Sequence, residues 1–414
     1  DVARLNQEIA WLDPSLKVSS LPDWETLPYD TMSPHADLVS ERLETLYNLT
    51  SDDLQARPDV LIAAASTAAQ RFAPKSYVAG NTFFFRKGQT ISIGKLETSL
   101  VAAGYGRVEQ TMAPGEFAVR GGIVDIFPMG AATPLRLDLF DDEIDAIRRF
   151  DPESQRSTGS VDRVRILPGH EFAFDEESRN RFRAAWRAAF PGDPNKCPVY
   201  VDVGSGICSP GIEYYLPLFF ESTGTLADYL PDNALFITLG ETRDAIDSFM
   251  RQTQERYKFL SHDAQRPALP PEKLFDKADS FFDAIAPFGR ISLKAAETGI
   301  DTSLTIERSA KDPAAKLKDF VAKCRIEKKR ILIVATGSGR AARLQELLRD
   351  GVREPELVES FAAFVNGSEP LAIAVGPLSG GFVLEEPGLV IITESELYNT
   401  KAIIRRRGHN RTTN

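Results

Sequence analysis

Three residue patterns in this chain could do chemistry. The first is a glycine-rich phosphate cradle, and two stretches approach it. In "GQTISIGKLE" five residues separate Gly88 from Gly94-Lys95, and Leu96 comes next. A nucleotide-binding loop needs four residues in that gap and a Ser or Thr after the lysine to hold magnesium, so this spacing argues against that use. "ATGSGRAARL", Ala335 to Leu344, follows a strand pattern and opens a helix, where backbone N–H groups can cradle an anion. It carries no lysine, and a structural turn is the simpler reading.

The second pattern is paired carboxylates. Asp141, Asp142, Glu143 and Asp145 cluster in one turn, and Glu385-Glu386 sit in "LEEPG". Acids in turns face water, whereas a catalytic pair must converge on one cleft, and nothing in the spacing makes these converge. The third pattern is a guanidinium beside an aromatic ring. In "PLRLDLFDD" strand alternation points Leu135, Leu137 and Leu139 one way and Arg136, Asp138 and Phe140 the other. The leucines make a core face. A phenylalanine and an arginine on the opposite face are the residue types that dominate the energetic centres of protein interfaces, although an amphipathic rim over the core has the same spacing.

Other chemistry finds no foothold. "VGSGICSPG" lacks the Gly-x-Ser-x-Gly pattern of a nucleophile elbow. The three cysteines, Cys197, Cys208 and Cys324, have no metal-ligand spacing, and none of the four histidines stands at i, i+4 from another ligand. No cofactor or metal is expected in this chain. Free thiols fit a reducing, cytoplasmic setting. No apolar run approaches the roughly 18 residues of a membrane span.

The elements that must position the Arg/Phe face follow from length and texture. At 414 residues, with 43% hydrophobic and 26% charged residues, several folded domains are expected. A net charge of −10 argues against whole-surface affinity for nucleic acid, although "KAIIRRRGHNRTTN" is locally basic. Residues 1–82 alternate helix and strand and read as part of a parallel α/β sheet. Because that part opens directly in a helix pattern, it reads as the truncated start of a longer chain. Strand runs dominate 83–167, a β-rich inserted domain with "FDDEID" as a hairpin connection and Gly121-Gly122 as a bulge or close approach. Residues 168–305 are helix-rich, with a Pro-rich hinge at "RPALPPEKLF". Residues 312–400 form a small α/β domain, and 401–414 a basic linker.

"FAVRGGIVDIFPMGAATPLRLDLFDDEIDAIRRFDPESQRS", Phe117 to Ser157, resembles the motif shared by UvrB and the transcription-repair coupling factor (Mfd) family. An Arg-Gly begins a strand ending in Asp-x-Phe-Pro; Arg-Leu, Phe-x-Asp-Glu-Ile and Phe-Asp-x-x-x-Gln-Arg follow. "DWETLPYDTMSPHADLVSERL" (Asp23 to Leu43) and "GIEYYLPLFF" (Gly211 to Phe220) resemble the coupling factors rather than UvrB. The resemblance implies an α/β multidomain fold: a UvrB-like parallel α/β module with the β-rich (α+β) domain inserted, then the small α/β domain. It implies a non-catalytic segment that recruits the excision-repair protein UvrA to stalled RNA polymerase. Arg120, Arg136 and Phe140 are the positions implied for UvrA binding. RNA polymerase, DNA, ATP and magnesium would engage motor and polymerase-binding parts elsewhere in a longer protein, and its C-terminal region would mask the inserted domain. The alternative is a divergent UvrB-like, nucleotide-dependent DNA-binding enzyme. The pattern Gln-x-x-Gly-Arg-x-x-Arg of such motors does not occur in "IIRRRGHNR".

Overall fold

The inserted domain is built on a six-stranded sheet in near-sequential order: Gly106–Arg107, Glu116–Arg120, Ile123–Ile126, Leu135–Phe140, Glu143–Phe150 and Ser157–Ser160. The structure is a computed structural model that describes residues 1–51, 53–294, 304–307, 310–349 and 354–398; the basic tail at 401–414 lies outside them. All ladders in this sheet are antiparallel except the short first pair. Alternation decides its two faces. Phe117, Val124, Ile126, Leu135, Leu137, Ile147 and Phe150 are buried, and helix Ile93–Ala102 buries Leu96 and Leu100. Gly121 turns the chain at φ +61°, and a side chain at Gly122 would stand 2.8 Å from the Leu139 carbonyl oxygen. The Gly-Gly pair is therefore a tight turn with a close backbone approach. The turn between the next two strands places Asp141 at φ +53°, and a bulge follows Asp138.

This sheet is seated on its own unit, residues 21–57 and 63–294. Strands Phe83–Arg86 and Arg163–Ile166 pair antiparallel where the chain enters and leaves the domain. Helix Ala36–Thr50 buries Val39, Leu43, Leu46 and Leu49 at helical spacing and meets the domain with its polar side. There Ser40 Oγ accepts from the Gly130 N–H at 2.6 Å, and Glu44 pairs with Arg165 at 3.2 Å. The Gly169 N–H donates to the Ala103 carbonyl at 2.6 Å, and a Cβ on Gly169 would lie 2.6 Å from the Gly104 oxygen. A buried ion pair fixes the same helix to the chain just beyond. The Arg42 guanidinium donates to both oxygens of Glu171 (2.6 and 3.1 Å) and to the Pro22 carbonyl, and Trp24 Nε1 donates to Glu171. Trp24 and Phe72 flank the guanidinium, so both buried charges are fully satisfied.

The helix-rich remainder folds around aromatic residues. Asp175 caps helix Glu176–Ala189 by accepting from the Ser178 N–H, and Phe182 and Trp186 pack on Tyr215 and Phe219. "GIEYYLPLFF" forms a 3-10 helix, Ile212–Phe219, that buries Tyr214, Tyr215, Leu216 and Phe219. The expected hinge "RPALPPEKLF" is instead a buried strap. Leu269, Leu274 and Phe275 are core residues, and Tyr29 and Tyr215 donate to the strap's carbonyls. Outside the inserted sheet, the described strands of this unit include the parallel pair Leu235–Leu239 with Gly289–Leu293; the fold is mixed α/β with several sheets.

The other unit, residues 1–20, 58–62 and 295–414, centres on a five-stranded sheet. Its order is Glu356–Leu357, Leu371–Val375, Arg330–Ala335, Leu389–Thr393 and Phe382–Leu384, parallel but for the last strand. Helix Val2–Leu12, grouped by sequence with residues 1–82, packs on this unit. Trp11 Nε1 donates to the Val375 carbonyl at 3.0 Å and its ring lies against Phe361, while Glu8 accepts from the Ser379 N–H and hydroxyl. Trp11 and Leu12 are half-buried against one face of that sheet's core, as an α/β sheet needs both faces covered.

The glycine contact sets a test. Gly169→Ala should force the two backbones apart, at a cost of roughly 1–3 kcal/mol. Gly94→Ala, where a Cβ meets nothing within 4 Å, should stabilise its helix by up to about 1 kcal/mol. Hydrogen exchange of peptides covering 96–107 and 163–172 should accelerate in the first variant only.

Candidate docking face on the inserted sheet

The polar face of the inserted sheet carries Arg120, Asp125, Arg136, Asp138, Phe140 and Arg148. Register explains the company they keep. Asp125 lies directly opposite Arg136, and Arg136 opposite Arg148 on the next strand. Two like charges side by side on a sheet repel, so the carboxylates decide which way each guanidinium turns. Arg136 turns to Asp125, with Nε on Oδ1 at 2.7 Å and Nη2 on Oδ2 at 2.9 Å. Arg148 turns to Asp138 at 3.2 Å.

Asp125 is the centre of this arrangement. It is only 1% exposed, and Arg120 adds a third bond, Nη2 to Oδ2 at 2.6 Å. One buried carboxylate thus holds two guanidiniums, the fork geometry that gives the strongest charged hydrogen bonds. Donating to the Asp125 carboxylate raises the Arg136 pKa above its ordinary value, so the cation persists at any working pH. Arg136 also lies 4.7 Å over the Phe150 ring, and the Gln155 carbonyl and side-chain oxygen accept from it at 3.4 Å. Gln155 reaches that position from a left-handed backbone, φ +57°, in a turn closed by its N–H to the Asp151 carbonyl. Such a conformation is unfavourable for a residue with a Cβ and needs local support.

The three residues singled out by sequence therefore occupy different environments. Phe140 is the most open, 79% exposed at the end of its strand beside the Asp141-Asp142 turn. The Arg120 side chain is 52% exposed. Arg136 departs from the alternation reading of an open guanidinium: its side chain is 16% exposed, because Asp125 draws it inward. Asp125, Phe150 and Gln155 escaped notice as functional residues. Each stands in the motif of Phe117–Ser157, and Asp125 falls on the same face as Arg120 across the two-residue turn, which was the available signal.

The other chemical candidates lie elsewhere. The acids of the 141–145 turn are exposed, as are Glu385 and Glu386. Ser92 Oγ accepts from the Lys95 N–H at the start of helix Ile93–Ala102. In the small α/β domain the Thr336 N–H and hydroxyl both donate to the buried Glu394 carboxylate, which also pairs with Arg340. A protein carboxylate thus takes the anion position at that Gly-rich turn. Among the described residues no cluster of His, Cys, Asp and Glu could hold a metal ion, and no helix is long and apolar enough to cross a membrane.

Residues 83–172 match the UvrB interaction domain, and residues 320–397 match the D3 domain of the MFD family. The chain is 35% identical over 99% of its length to the transcription-repair-coupling factor of Haemophilus influenzae (strain Rd), and equally to that of Escherichia coli K12, spanning 36% of each relative. The coupling factor of Bacillus subtilis 168 is 25% identical over 88% of the chain. Over the third or so of their length that it spans, this chain is similar to the transcription-repair-coupling factors.

Proposed function

We propose that this chain recruits UvrA, and that Arg120, Arg136 and Phe140 form the docking face. The observation that carries this reading is the exposed Phe140 ring on the same sheet face as two guanidiniums anchored by one buried carboxylate. A fixed guanidinium loses little side-chain freedom on binding, and an exposed ring gains apolar burial worth about 1.5–3 kcal/mol. Acidic groups on the partner would complete the forks. In this reading the longer protein supplies the RNA polymerase and DNA contacts and an ATP- and magnesium-dependent motor. Its C-terminal region masks the inserted domain until recruitment is needed. The alternative, a divergent UvrB-like nucleotide-dependent enzyme, gains no support from the two Gly-rich stretches, where Ser92 accepts from the Lys95 N–H and Glu394 from the Thr336 N–H.

Titration of UvrA with wild type and variants tests the proposal. Arg136→Ala and Phe140→Ala should each weaken binding at least tenfold, or about 1.4 kcal/mol, with circular dichroism unchanged. Wild-type affinity in both would refute the site. Asp125→Asn is the sharper variant, because a side chain so buried cannot touch UvrA. It should loosen both arginines and weaken UvrA several-fold through them, with faster hydrogen exchange in 120–126 and 134–138. Undiminished affinity with loosened strands would separate the clamp from docking.

A further inference from the structure

A second surface of this unit is built from unpaired cations. Where strands Phe83–Arg86 and Arg163–Ile166 pair, one face is core: Phe85, Val164 and Ile166 are buried. The other face carries Phe84, Arg86, Arg163 and Arg165. Arg165 is neutralised by Glu44. Arg86 and Arg163 stand directly opposite each other in register, an arrangement that like charges disfavour. Lys87 follows at the strand end. All three are exposed, and among the described residues none of them forms an ion pair with a carboxylate.

These side chains surround an open concavity of about 860 Å³, lined by Phe84, Arg86, Lys87, Gln89, Asp162 and Arg163. Its floor is a stack: the Arg163 guanidinium lies 4.2 Å over the Phe84 ring, and Phe84 is still 40% exposed. Three cations face one acid in a chain whose net charge is −10.

We infer that this concavity binds a single strand of nucleic acid, stacking a base on the Arg163–Phe84 platform and setting its phosphates against Arg86 and Lys87. Each component of the ligand answers a feature of the site. Phosphodiester charge relieves the repulsion between the opposed arginines, and guanidinium forks suit phosphate oxygens. A base face suits an aromatic–guanidinium platform, which accepts any base. Inorganic phosphate or an acidic peptide has no use for the exposed ring, and a duplex keeps its base faces stacked away. The surface is separate from the Arg120–Asp125–Arg136 cluster, and the inference does not rest on UvrA recruitment.

Fluorescence anisotropy with labelled oligothymidylate and oligouridylate of about 15 nucleotides tests it. Wild type should bind at low salt, with affinity falling as salt rises. Removing both Arg86 and Lys87 as alanines should flatten the log–log salt slope by about 1.4, at roughly 0.7 per lost phosphate contact on a single strand. Phe84→Leu should weaken binding about tenfold with the slope unchanged. UvrA affinity should be unaltered in these variants. Absence of oligonucleotide binding by wild type, binding undiminished in the variants, or equal competition by polyglutamate would each overturn the inference.

Discussion

A carboxylate removed from water must be paired, and Asp125 is paired twice. Its two oxygens receive three guanidinium hydrogen bonds from strands on either side of its own. Leaving such a charge without partners costs about 3–5 kcal/mol, although a satisfied buried pair by itself adds little stability. What the arrangement supplies is position. Arg120 and Arg136 are held at fixed places on one sheet face, and Phe150 and Gln155 close the inner side of Arg136. The motif shared across Phe117–Ser157 thereby acquires a physical meaning: its scattered Arg, Asp, Phe and Gln residues converge on one charged cluster, while Phe140 is left free at the rim.

The docking face is only as steady as the seat of the inserted domain. That seat combines Ser40 and Glu44 on one helix, the backbone contact of Gly104 with Gly169, and the Arg42–Glu171 pair two residues further on. The same junction carries the unpaired cations of the 83–86 and 163–166 strands. Recruitment and the inferred strand-binding surface would therefore share one rigid base while using different chemistry, ion-pair forks and an apolar ring on one side, stacking and phosphate charge on the other.

Much of this was legible in the sequence because alternation is a strong local signal. The leucine face of Leu135–Phe140, the hairpin at Asp141-Asp142 and the Gly121-Gly122 approach follow from period two and turn chemistry. Long-range choices were not legible. Nothing local in Val2–Leu12 tells which sheet its apolar stripe will cover, and Trp11 finds Val375 and Phe361 more than three hundred residues away. "RPALPPEKLF" has the composition of a hinge but is held by tyrosine hydroxyls from two other segments. The edge strand Ser157–Ser160 has no apolar alternation to announce it. Arg136 was read as open because parity gives the face of a side chain and not the partner that draws it in.

The central claim is that Phe140 and the clamped arginines touch UvrA directly. Site-specific photocrosslinking measures this most directly, with a benzophenone amino acid at position 140 and, as control, at Val101, an exposed apolar residue on a helix of the same domain. Irradiation of the complex should join position 140 to UvrA and leave position 101 unjoined. A complex of undiminished strength that crosslinks through position 101, or through neither, would contradict the account.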